Sequence, residues 1–119
     1  MFGFEKLTAW QKAVEYADLM YRVTRGFPAE ERFGLANQLR RSAVSVSSNI
    51  AEGSSRSSRT DFARFVEISY GSLLESVSEL QIAKRQEFLD REMFETAYVA
   101  AEDLAKILSG FRRSLKKRT

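Results

Sequence analysis

Apolar residues recur at intervals of three and four through four long stretches of this chain, and a single proline, Pro28, interrupts them. That period belongs to helices of 3.6 residues per turn, each with one side against a core. Six glycines in 119 residues leave too few tight turns for an all-β fold. Thr8 and Gln11 fit a capping box, and Trp10, Ala13, Val14, Ala17, Met20, Tyr21 and Thr24 then share one face. Gly26-Phe27-Pro28 predicts the end of that helix. A second helix is expected to open near Pro28, with Glu30 and Glu31 suited to its N-terminus. Its stripe is Leu35, Leu39, Ser42, Ala43, Val46 and Ile50, and Gly53 is expected just beyond its end. The run SAVSVSS has strand composition too, but the helical period continues on both sides of it.

Ser54–Arg59 reads as a polar linker, after which Ser58 or Thr60 caps a third helix carrying Phe62, Val66, Ser69, Leu73, Val77 and Leu80. Asp90 caps a fourth, whose face is Phe94, Ala97, Tyr98, Ala101, Leu104, Ala105, Leu108 and Leu115. The expected helices span about 8–25, 29–52, 60–87 and 90–117, within one domain over residues 1–119. Short connections between amphipathic helices predict an all-α fold, an antiparallel up-down-up-down four-helix bundle.

The chain has neither cysteine nor histidine, which removes thiolate and His-dependent nucleophilic catalysis and the usual zinc and di-iron sites. Only carboxylate-bound Mg or Ca chemistry remains open. Asn49 and Glu52 could form a polar site with Glu52 as base. Two readings are simpler: both close the helix beside Gly53, or Glu52 pairs with an arginine of another subunit. No catalytic residue, metal ligand or cofactor is assigned. The opening MFGFEKL carries an acid and precedes no long apolar run, so no signal peptide or membrane span is read and a cytoplasmic location is expected.

The net charge is +3, unevenly placed. Residues 32–59 hold five arginines and the single acid Glu52, whereas residues 60–111 hold ten acids and five bases. The last eight residues hold Arg112, Arg113, Lys116, Lys117 and Arg118 with no acid. An up-down-up-down path returns the second and fourth helices to the same end. Arg56 and Arg59 of the linker should therefore join those five in one basic pole, suited to phosphate oxygens. The fourteen aromatics sit largely on core stripes, and no base-stacking platform is expected.

Some apolar residues fall off the core stripes. Ile68 and Ile82 lie on the far side of the third helix, with Gly71 and Glu75 between them, and Val99 and Ile107 lie off the stripe of the fourth. Such a set suits a contact between copies of the chain. The second helix has a back face of small and polar residues, Arg41, Ser45, Ser48 and Glu52, beside Asn49. It can be a solvated face or a polar seam that sets register, with Glu75 and Glu79 as partners for Arg41.

The run Arg40-Arg41-Ser42-Ala43-Val44-Ser45-Val46-Ser47-Ser48-Asn49-Ile50-Ala51-Glu52-Gly53 resembles the signature of the four helix bundle protein family, whose first members are encoded by intervening sequences in bacterial 23S rRNA genes. Further matches are Phe4, Leu7 and Trp10-Gln11-Lys12-Ala13, then Phe27-Pro28 with Glu31-Arg32-Phe33-Gly34-Leu35, then Gly71-Ser72-Leu73 with Glu75. The resemblance implies a four-helix bundle in a ring-like homo-oligomer, a pentamer, with no catalytic residues. It also implies kinship with accessory proteins of diversity-generating retroelements, and so a reverse transcriptase as a partner. The family often has proline where Ser47 stands, so this helix should be straighter. The expected function is non-catalytic binding of structured RNA or DNA phosphates at the basic pole. The alternative is a protein-interaction scaffold without a nucleic-acid ligand.

Overall fold

The computed structural model describes residues 1–117. Four helices follow one another: α1 (Thr8–Arg25), α2 (Leu35–Gly53), α3 (Arg59–Arg85) and α4 (Arg91–Lys116), with short 3-10 turns at Gly3–Lys6 and Ala29–Glu31. No strand occurs among the described residues. Each helix packs on its two neighbours around the bundle, α1 on α2, α2 on α3, α3 on α4 and α4 on α1, while the diagonal pair α1 and α3 meets through the side chains of Tyr16 and Ser76. The result is a rod of 49 × 22 × 21 Å. The all-α reading holds, and SAVSVSS is helical throughout.

The core runs the length of the rod. Met20, Leu39, Val46, Ile50, Val66, Leu73, Leu80 and Leu108 are fully buried. The expected stripes of α2, α3 and α4 are the buried ones, with Phe62, Val77, Tyr98 and Ala105 half-buried at their margins. The α1 stripe is rotated from the expected one. Tyr16 and Val23 are buried, Val14 is half-buried and Tyr21 is exposed. Tyr16 turns inward because its hydroxyl finds a partner there: Ser76 gives its proton to the Leu73 carbonyl, and Tyr16 donates to Ser76 Oγ at 2.6 Å. Burial, with Glu79 nearby, pushes the Tyr16 phenol up to about 12, opposed in part by its hydrogen bond with Ser76.

Helix ends follow local chemistry in two places and depart from it in three. Ser58 Oγ accepts from Asp61 N, and Asp90 Oδ1 accepts from Met93 N at 2.8 Å, both as expected of N-caps. Thr8 forms no capping box. It is the first helical residue after Leu7, and Gln11 Nε2 donates instead to the Glu5 carbonyl at 2.9 Å. α2 does not open near Pro28. The chain makes a 3-10 turn and α2 starts at Leu35, where Glu31 Oε1 accepts the Leu35 amide at 3.0 Å. Gly53 is the last residue of α2, not a left-handed residue beyond it. It is small because α3 crosses it: a Cβ there would lie 2.6 Å from Phe65 Cβ and 2.9 Å from Phe62 Cδ1.

Candidate nucleic-acid interface

The linker and the tail do meet at one end of the bundle. Arg59, at the start of α3, donates through Nη2 to the Ser114 carbonyl at 2.6 Å and through Nε to the Leu115 carbonyl at 3.3 Å. These are carbonyls left open at the end of α4, where a cation also complements the helix dipole. Phe62 and Phe111 pack edge to face beneath, their centroids 5.3 Å apart.

Much of the positive charge at this end is already engaged. Arg112 and Lys116 both pair with Glu67, and the Arg112 hydrogen bond holds the Glu67 carboxyl below its ordinary range. Arg56 lies between Glu52 and Asp61, with its guanidinium 4.5 Å over the Phe65 ring. Among the described residues Arg113 and Lys117 make no ion pair, and Arg118 lies outside the described residues. Sequence order hid this, because Glu67 is 45 residues from Arg112. The side chains of all these pairs are well reached by solvent, so water and salt screen them and they hold the charges only weakly.

The α2 back face behaves differently from expectation. Asn49 does not close the helix; its amide donates back to the Ser45 carbonyl at 2.9 Å and to Ser45 Oγ at 3.0 Å. Closure falls to Ser54 and Ser55, which donate to the carbonyls of Ala51 and Glu52. Ser45 Oγ also meets Ser72 Oγ of α3 at 2.9 Å. Glu52 lies 3.5 Å from Arg56 of the same chain, one turn on. Arg41 is exposed and has no ion pair among the described residues. Its expected partner Glu79 is buried and accepts instead from Ser42 Oγ at 2.7 Å. Burial, seconded by Glu75, raises the Glu79 carboxyl above its ordinary value, against the Ser42 hydrogen bond.

On α3, Ile68 and Ile82 are 46% and 48% exposed, and Gly71 and Glu75 are open beside them. Leu74 and Val99 are exposed as well. Ile107, expected with this set, is half-buried and lines a groove between α1 and α4 with Leu19. No group of three or more potential metal-ligating residues exists among the described residues. No helix there is long and apolar enough to cross a membrane.

By fold, then, this is a single-chain antiparallel four-helix bundle with clustered basic residues at its surface. Residues 5–110 match the family model for the 23S rRNA-intervening sequence protein, and the chain belongs to that family. A crystal structure of a protein with unknown function from the S23 ribosomal protein family of Bacteroides thetaiotaomicron VPI-5482 shares the fold. The TM-score is 0.81 at 24% identity, covering 88% of this chain and 95% of that one. No curated protein matches the chain.

Proposed function

We propose that this protein is a non-catalytic binder of RNA or DNA phosphates, acting through the end of the bundle where the linker meets the tail. The observation that carries it is the pair of hydrogen bonds from Arg59 to the last carbonyls of α4. They bring Arg59 onto the end of α4 that carries Arg112, Arg113, Lys116 and Lys117, while Arg56 pairs with Glu52 and Asp61, and Arg112 and Lys116 pair with Glu67. Bases outnumber acids there, and the exposed pairs are weak enough for phosphates to displace the carboxylates. The exposed Ile68, Gly71 and Ile82 face supports self-association, which would repeat the basic end around an assembly and strengthen its field. The ring-like pentamer implied by the family resemblance is one such assembly.

Fluorescence anisotropy with structured RNA and duplex DNA, at low and high salt, tests this alongside molar mass by light scattering. Micromolar or tighter binding with a steep salt slope is expected, and Arg113→Glu with Lys117→Glu should flatten that slope. A well-formed protein that binds neither probe at low salt refutes the proposal and leaves the interaction scaffold.

A further inference from the structure

The opposite end of the bundle carries a second concentration of arginine, and there the charge is unspent. Arg25, Arg32 and Arg40 line one cavity of about 340 Å³ with Thr24, Phe27 and Pro28, and no acidic residue lines it. Among the described residues none of the three makes an ion pair. Glu31, the acid next to Arg32, is turned to the first amide of α2.

Arg40 is held ready. Its Nε donates to Thr24 Oγ1 at 2.7 Å, and Thr24 in turn donates to the Met20 carbonyl at 2.8 Å. Its guanidinium sits 4.8 Å above the Tyr21 ring. Both contacts immobilise the half-buried side chain, yet its terminal nitrogens have no partner among the described residues and none is sealed from solvent. A guanidinium fixed through Nε with a free fork is suited to a phosphate oxygen pair. Beside Arg32 stands Phe33, 87% exposed, the largest outlay of aromatic surface on the molecule. Phe33 follows Arg32 directly in the chain, and an exposed ring adjoining arginines without ion pairs has the composition of a single-strand site, where the backbone meets cations and a base stacks on the ring. Phe33 lies in the turn ahead of α2, off every core stripe.

We infer that this end of the bundle binds single-stranded nucleic acid, a backbone phosphate seated among Arg25, Arg32 and Arg40 and a base stacked on Phe33. The inference rests on the nucleic-acid reading above but uses a different surface. Duplex bases are already stacked and cannot use Phe33, so this site prefers single strands while the tail end does not discriminate.

The test is anisotropy with a labelled oligothymidylate and with a duplex of equal length, on the full chain. Phe33→Ala should weaken single-strand binding roughly tenfold and leave the duplex unchanged. Arg25→Glu with Arg32→Glu, both exposed positions, should lower the single-strand salt slope by about 0.7 or more. Wild-type affinity in these variants, with binding lost in Arg113→Glu/Lys117→Glu, overturns the inference and leaves the tail reading standing. The reverse pattern upholds the inference and refutes the tail. Light scattering supplies one more refutation: if Phe33→Ala lowers the molar mass and affinity falls only with it, Phe33 is a contact between copies of the chain.

Discussion

Replacing Gly53 by alanine asks the α2–α3 crossing to admit a methyl group into occupied space. The new Cβ would lie 2.6 Å from Phe65 Cβ, and 2.9 and 3.2 Å from Cδ1 and Cε1 of Phe62. Comfortable carbon–carbon contact is about 3.5–4.0 Å, so the two helices must part by about 1 Å. Phe62 can rotate away, but Phe65 Cβ is rooted in the backbone and cannot. Overpacking of this kind costs about 1–3 kcal/mol. Alanine recovers up to about 1 kcal/mol of helix propensity in a helix interior, and less here because Gly53 is the last residue of α2. A net loss of about 1–2 kcal/mol follows, visible as a lower urea midpoint with an unchanged slope. Gly71→Ala is the matched control. It sits inside α3 with nothing within 4 Å of its Cβ, so alanine should stabilise by about 0.5–1 kcal/mol. If Gly53→Ala is as stable as the wild type, or gains as Gly71→Ala does, close helix approach is not why glycine stands there.

Three further outcomes can be checked on the same footing. Glu79 has a raised carboxyl pKa, so the folded chain holds its proton more tightly than the unfolded one. The resulting destabilisation is absent below the ordinary carboxylate value, grows as pH rises through the folded value, and is complete above it. Glu79→Gln should therefore raise the urea midpoint at neutral pH and remove that decline; a wild-type pH profile in the variant would contradict it. Tyr16→Phe loses one hydrogen bond but leaves Ser76 bound to the Leu73 carbonyl, so thermal melts should register a loss of only about 0.5–1.5 kcal/mol. A loss well above that range would mean that Ser76 depends on the phenol. Asp90→Ala removes the N-cap of α4 and should cost about 1 kcal/mol by chemical denaturation, with Asp90→Asn recovering most of it.

Local chemistry explains what was legible in the residues alone. Helical backbone bonds close within four residues, so the apolar period of α2, α3 and α4 and the caps Ser58 and Asp90 could be read directly. The up-down path then placed the linker beside the tail, because helix order alone sets which ends meet. Tertiary structure decided the matters that depend on distant partners. Ser76, sixty residues away, turned Tyr16 inward and rotated the α1 face. Phe65 explains Gly53, which looked like a helix terminator. Glu67 neutralised part of a tail that carries no acid of its own, while Arg25, Arg32 and Arg40, scattered along two helices and a turn, converged on one acid-free cavity. Periodicity and capping are properties of neighbours along the chain. Charge compensation and close packing are properties of neighbours in space, and only the folded bundle brings those together.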